Sequence, residues 1–239
     1  MKLTPSNYHS AEANKEYMSV SQYKNFMKCE AAALAMINGE WEQPTTDALE
    51  IGKYIDCHFS GEPYAGNIVK KDGTLYAKYT QADEIIRRIE ADEFLMSIIK
   101  ASKKQQIRTG EIEGVPFRVM ADFDYTDDML VDLKIMKDFK DGYNGQPWWE
   151  EWRYDIQGAV YDEIFKKNRF ALIGASKEKT PDITAVELPQ YALKGALAEV
   201  KENAPRYYAI KNGLEEPTRC ECCDYCKSTK KLKGFFKYE

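Results

Sequence analysis

Residues 120–140, MADFDYTDDMLVDLKIMKDFK, gather the side chains with the most chemistry in the chain. Asp132 and Lys134 stand two apart, and Asp122 lies ten residues upstream. Magnesium takes hard oxygen ligands, usually one or two carboxylates with carbonyls and waters. Asp122 and Asp132 would supply the carboxylates, and the Leu133 backbone carbonyl a further oxygen. Lys134 beside them could hold an attacking water or neutralise charge on a phosphorane-like transition state. Alternation of polar and apolar residues also marks any half-buried hairpin with a solvated face. Periodicity alone leaves both readings open.

A second group is made of thiols. Four of the six cysteines, Cys220, Cys222, Cys223 and Cys226, fall within seven residues; Cys29 and Cys57 lie far upstream. In an intracellular chain, clustered cysteines are more often metal ligands or redox groups than disulfides. The Cys220-x-x-Cys223-x-x-Cys226 spacing suits an iron–sulfur cluster or zinc.

The elements that must position these residues can be read from pattern. Ser19 caps a helix that runs to Gly39, and a second helix runs from about Asp47 to Gly61. Residues 79–102 form one amphipathic helix with Ile85, Ile86, Ile89, Phe94, Leu95, Ile98 and Ile99 on its apolar face. Strand character starts near Gln105 and continues through 129–136. A helix over 147–167, strands over 169–178 and 183–189, and one or two helices over 189–213 around Pro205 follow. Residues 215–239 read as an irregular tail. The order predicts an α/β or α+β fold, a small mixed sheet between helices. Within the hairpin, side chains two apart share a face. Asp132, Lys134 and Leu130 project together, as do Asp122 and Asp124, with Val119, Ala121 and Phe123 opposite. Asp122 and Asp132 meet only if the connection is odd in length, such as Thr126-Asp127-Asp128, or a bulge shifts the register.

Bulk properties bound the function. The 239 residues suit one large domain, and 44% hydrophobic content with 13% aromatics is that of a globular chain. No apolar run approaches the roughly 20 residues of a membrane span, and the N-terminus lacks a signal-peptide core. A soluble, cytoplasmic protein is expected. The net charge of −5 argues against coating nucleic acid by bulk electrostatics. No dinucleotide or P-loop signature is present.

Asp122 followed by Asp132-Leu133-Lys134 resembles the D…(D/E)-x-K signature of the PD-(D/E)XK nuclease superfamily. Gln157-x-x-x-Tyr161 is similar to the Gln-x-x-x-Tyr motif of its RecB-like branch. The cysteine tail resembles the end of RecB-like and CRISPR-associated nucleases, which often hold an iron–sulfur cluster through three C-terminal cysteines and one far upstream. Cys29 stands where that upstream ligand is expected. The helix at 47–61 lies where the family places Gly-x-x-x-His; counting from Gly52 puts Asp56 there, with His58 two residues on. Those two are about 200° apart on a helix and cannot both face the site.

The resemblance covers the whole chain and is greatest to phage RecE-like or RecB-like exonucleases encoded beside single-strand annealing proteins. It implies a restriction-endonuclease-like mixed sheet flanked by helices, in a single domain over 1–239 with its tail on the N-terminal helix. It implies a metal-dependent DNA exonuclease of recombination and repair, working in the host cytoplasm if phage-encoded. Asp122 and Asp132 hold Mg2+ or Mn2+, with Asp56 and the Leu133 carbonyl as further ligands. Lys134 orients water, and Gln157 and Tyr161 position the strand or the lysine. Cys29, Cys220, Cys223 and Cys226 bind a 4Fe-4S iron–sulfur cluster, with zinc as the alternative. Arg153, Lys137, Lys140, Lys177 and Lys179 are candidate phosphate contacts, and Lys227, Lys230, Lys231, Lys233 and Lys237 a basic extension. An annealing-protein partner and an oligomer also follow. A zinc-stapled, non-catalytic nucleic-acid-binding module and a degenerate nuclease serving as a recombination partner fit the same residues.

Overall fold

The computed structural model describes residues 1–232, 234 and 235, so Lys233 and Lys237 lie outside the described residues. Helices α1 (Ala11–Glu16), α2 (Val20–Lys28), α3 (Glu30–Asn38), α4 (Asp47–Ser60), α5 (Ala77–Glu90) and α6 (Glu93–Ala101) come first. Strands β1 (Lys103–Ile112), β2 (Val115–Asp124) and β3 (Met129–Met136) follow, then α7 (Trp148–Glu151) and α8 (Tyr154–Phe165). Strands β4 (Arg169–Ser176) and β5 (Ile183–Glu187), the long α9 (Gln190–Lys211) and the short α10 (Asp224–Ser228) complete the order. The sheet runs β1-β2-β3-β4-β5. Only β3 and β4 are parallel, with α8 in their crossover; the other neighbours are antiparallel. This is the mixed sheet flanked by helices that the sequence predicts.

Helices cover both sides of the sheet centre. Phe117, Val119, Leu130, Phe170 and Leu172 pack in a core with residues of α8 and α9. Val131, Leu133, Ile173 and Ala175 pack in a second core with α4, α5 and α6. Burial on both sides is why β3 and β4 read as nearly unbroken apolar runs, with Asp132 and Lys134 as the exceptions in β3.

Several expected helices prove to be pairs. The 19–39 segment breaks at Cys29, whose φ of −166° is extended. Its N–H closes α2 on the Asn25 carbonyl, and its own carbonyl accepts from Ala33 N–H in α3, both at 3.0 Å. The 79–102 segment breaks before α6, where the Asp92 side chain caps Leu95 N–H at 2.9 Å. Phe94, expected on the apolar face, is 60% exposed, because α6 turns Leu95, Ile98 and Ile99 inward instead. The 147–167 segment breaks at Arg153, with φ 54°. The Thr46 side chain caps α4. Pro205 lies within α9 without ending it. The tail is not wholly irregular, because α10 forms within it. No helix among the described residues is long and apolar enough to cross a membrane.

Glu30 ties the tail to this frame. Its carboxylate accepts from Arg206 Nε and Nη2 at 3.0 and 2.9 Å, and from Thr218 N–H and Oγ1 at 2.7 and 2.8 Å. One buried acid thus joins α3, α9 and the segment entering the cysteine tail.

Asp162 on α8 is buried, and its Oδ1 has no hydrogen-bond partner. Burial raises its pKa from 3.8 to about 7, against a smaller opposing pull from Lys167. The folded chain therefore keeps a proton that the unfolded chain releases, and stability falls as pH rises from about 4 to about 7. Asp162→Asn should raise the melting temperature at pH 8, by about 2–4 °C per kcal/mol relieved. The difference from wild type should shrink toward pH 4 in thermal denaturation across pH.

Candidate active site

The β2–β3 connection sets the site. Tyr125 N–H donates to the Met129 carbonyl at 3.2 Å, leaving Thr126, Asp127 and Asp128 as a three-residue loop. Asp124 pairs with Leu130 and Phe123 with Val131, so Asp122 stands opposite Asp132 in register, where the ladder stops. On the other side, the β1–β2 ladder omits the pair Gln105–Asp122, and Gln105 has a φ of 48°. A left-handed conformation at a non-glycine residue costs energy and tends to mark functional sites. Here the kink switches sides. Ala121 packs in the α8–α9 core but Phe123 in the α4–α6 core, so Val119, Ala121 and Phe123 do not share one face as alternation predicts.

Asp122 reaches into the gap between the diverging strands. Its Oδ2 accepts Leu133 N–H at 3.0 Å, taking the place of a ladder partner. The N–H and C=O of one strand residue point to the same edge. The Leu133 carbonyl therefore faces the opening that Asp122 enters. Asp132 is only 2% exposed. Its Oδ1 accepts from Gln157 Nε2 at 2.6 Å, and its Oδ2 pairs with the Lys134 ammonium. That ammonium also lies 4.9 Å from the centre of the Tyr154 ring, a cation–π contact. One turn along α8 from Gln157, the Tyr161 hydroxyl donates to the Met120 carbonyl at 3.1 Å. The i, i+4 pair on α8 thus grips the acid on β3 and the backbone of β2.

Asp56 on α4 lines the same cleft, together with Gly52, Lys53, Asp122, Asp132 and Lys134. His58 turns the other way, and its Nε2 is hydrogen-bonded to Glu90 Oε1 at 2.9 Å. Burial pushes the Asp122 carboxyl well above the usual range, and the charges of Asp132 and Asp56 push it further. Burial and then Asp132 raise Asp56 to about 6. Burial pulls Lys134 down, but Asp132 and Asp122 outweigh it and hold the ammonium charged. Three carboxyls therefore share one opening with one half-buried lysine. Such a set of hard oxygens, short of positive charge, suits a divalent cation of the magnesium type.

The four expected cysteine sulfurs converge. Those of Cys29, Cys220, Cys223 and Cys226 all lie within 4.8 Å of one another. Cys29 and Cys226 are 3.6 Å apart, and Cys220 and Cys226 3.9 Å. The break between α2 and α3 places Cys29 at the start of α3. Cys222 is exposed and outside the four. A thiolate set of this kind fits a thiophilic metal.

The expected phosphate contacts are not brought to the cleft. Arg153 is held by Asp155, at 3.2 Å from Nε to Oδ1, and by Glu199, at 2.6 Å from Nη2 to Oε2. A guanidinium with two carboxylates has less to give a phosphate. Lys137, Lys140 and Lys179 are exposed and Lys177 is half-buried. Residues that pattern reading missed include Arg118, Tyr8 and Asn14, which line the same cleft. Arg118 alternates with Met120 and Asp122 on β2, which was the available signal.

Gly174 on β4 pairs with Lys134, and a Cβ there would lie 2.5 Å from the Lys134 carbonyl oxygen. Gly174→Ala should therefore push β3 and β4 apart at the lysine and lower stability by about 1–3 kcal/mol. Gly52, by contrast, has nothing within 4 Å of an added Cβ. Gly52→Ala should be neutral or stabilise α4 by up to about 1 kcal/mol. Chemical denaturation of both variants checks the pair.

Residues 19–229 match a family model described as a PDDEXK-like domain of unknown function (DUF3799). A solved structure from Eubacterium rectale described as a "putative exonuclease" is 39% identical, with a TM-score of 0.90 over 99% of this chain and 97% of that one. A second, described as SSO0001, is 12% identical with a TM-score of 0.28 over 77% of this chain and 88% of that one. No curated protein gives a significant match. With nearly its whole length matched and the acids at the parting of β2 and β3, the chain belongs to the PDDEXK-like family DUF3799.

Proposed function

We propose that this protein is a metal-dependent DNA exonuclease. The observation that carries the reading is the meeting of Asp122 and Asp132 across the open end of the β2–β3 ladder, with Lys134 paired to Asp132. The likeness to the Eubacterium rectale protein supports it. Asp122, Asp132, Asp56 and the Leu133 carbonyl would hold Mg2+ or Mn2+, which when bound polarises a phosphate and lowers the pKa of water. Gln157 fixes the Asp132 carboxylate and so fixes where Lys134 pairs. Lys134, charged and half-buried beside the acids, places a positive charge where negative charge grows on a phosphodiester under attack. The Tyr154 ring limits its swing. His58, turned to Glu90, takes no part.

On linear duplex DNA with Mg2+ or Mn2+, the wild type should release nucleotides, and closed circular DNA should survive. Lys134→Ala and Asp132→Asn should each lower the rate about 100- to 1000-fold while leaving the far-UV circular dichroism spectrum unchanged. Activity that persists in both variants would remove the site assignment. Folded wild type inert with either metal would favour a degenerate nuclease that serves as a recombination partner. The setting proposed is recombination beside a single-strand annealing protein, in the cytoplasm, as one domain whose tail packs on α3.

For the cysteines we propose a single tetrahedral zinc ahead of an iron–sulfur cluster. With zinc–sulfur bonds of about 2.3 Å, a tetrahedron spaces its sulfurs at about 3.8 Å. The two short sulfur distances, 3.6 and 3.9 Å, lie near that value. A 4Fe-4S cluster puts eight atoms inside the thiolate shell and must spread the sulfurs wider. Protein purified without oxygen should be colourless and carry one zinc per chain in elemental analysis. A brown protein with about four irons per chain would reverse the assignment. Cys29→Ser should lower the melting temperature of metal-loaded protein, because metal binding is folding free energy here.

A further inference from the structure

The cleft has two electrostatic ends. Asp56, Asp122 and Asp132 crowd one of them. At the other lies Arg118, four residues before Asp122 on β2, about 13 Å along the strand. Arg118 is only 2% exposed, yet it lines the cleft. Its Nη2 donates to Asn14 Oδ1, and its guanidinium rests 4.8 Å from the centre of the Tyr8 ring. Its Nε and Nη1 are buried without a hydrogen-bond partner. Among the described residues, no carboxylate forms an ion pair with it.

That arrangement conflicts with stability. A guanidinium stays charged in a protein, so burial cannot be relieved by losing the proton. Buried charges are normally paired with an opposite charge, and an unpaired one is costly to fold around. The basic neighbours supply no compensating negative charge. The Lys211 amine is bonded to the Tyr17 carbonyl and Gln22 Oε1 at 2.6 and 3.1 Å, and burial and then Arg118 pull its pKa down to about 7. Burial, then Arg118 and Lys53, likewise lower His9.

We propose that Arg118 is an anion anchor that binds a phosphate of the nucleic-acid strand lying in the cleft, separate from the phosphate that reacts at the acid end. The inference rests on the nuclease reading for the identity of the strand. The anchoring itself rests on the buried, unpaired guanidinium. The Nε and Nη1 donors, which no group of the protein satisfies and solvent does not reach in the free chain, are the ones left for phosphate oxygens, and Asn14 and Tyr8 flank the guanidinium. Arginine suits this task because its planar donors match phosphate geometry. The spacing along β2 separates the anchored phosphate from the scissile one. A chain terminus or an internal phosphate offers the same chemistry, and the anchor would decide how far the strand advances.

The test begins without divalent metal and without DNA. Inorganic phosphate should raise the melting temperature of wild type, leave Arg118→Met unmoved and move Arg118→Lys less than wild type. Arg118→Met should be at least as stable as wild type in phosphate-free buffer, because it replaces an unpaired buried charge with an apolar chain of similar reach. Equal stabilisation of Arg118→Met and wild type by phosphate, or none in wild type, overturns the proposal. In steady-state digestion with Mg2+, Arg118→Met should raise KM for linear duplex by roughly tenfold or more, with a smaller fall in kcat. A KM that does not change also overturns it. Substrates with 5′-phosphate and 5′-hydroxyl ends separate the sources: loss of discrimination in Arg118→Met identifies a terminal phosphate, and a uniform KM rise an internal one. Wild type that hydrolyses no DNA would overturn the nuclease reading, while the phosphate shift would still decide the anchor.

Discussion

The parting of β2 and β3 at Asp122 is the constraint on which the rest of the site depends. A regular ladder would have paired these strands past Asp132 and buried their edges against each other. Instead Asp122 spends its carboxylate on the Leu133 N–H, and the strands separate. The opening this leaves is polar on every side that matters: two carboxyls from the strands, one from α4, and a backbone carbonyl edge. Lys134 keeps it from flying apart electrostatically by pairing with Asp132. Gln157 and Tyr161 then fix the two sides of the gap from α8. The Gln157 and Tyr161 contacts reach from α8 to strands 25 and 41 residues back in the chain, so the site is complete only once the sheet and α8 have packed.

The same logic explains the N-terminal and C-terminal ends. The α2–α3 break puts Cys29 beside the tail sulfurs, and Glu30 next to it binds α9 and Thr218. The residues preceding and opening α2 line the cleft near Arg118, with Asn14 holding the guanidinium. A metal at the cysteines would therefore brace the wall that carries the cationic end of the cleft, without touching the acids. On the proposed reading, this separation lets the cleft present opposite charges to a strand: acids that favour a cation at one end, and an arginine that favours a phosphate at the other.

Much of this was legible because strand and helix periods carry face information. Asp132 and Lys134, two apart, had to project together, and Gln157 with Tyr161, four apart, had to share a helix face. The three-residue loop Thr126–Asp128 made Asp122 and Asp132 opposite by parity. Other features have no local signature. The kink at Gln105, the clearance at Gly174 and the burial of Arg118 depend on neighbours across the sheet; Arg118 and Asn14 are 104 residues apart. The helix breaks at Cys29, Asp92 and Arg153 were hidden for a different reason. Each interrupts the path for a residue or two while the apolar pattern on either side continues, so the period alone reads through them.

The most direct test of the central claim is a crystal grown in Mn2+, with anomalous scattering used to locate the ion. The account predicts a manganese peak between Asp122 and Asp132, within reach of the Leu133 carbonyl, and its loss in Asp132→Asn. A folded wild-type protein with no manganese at the parting of β2 and β3, or with the ion bound away from both acids, would contradict it.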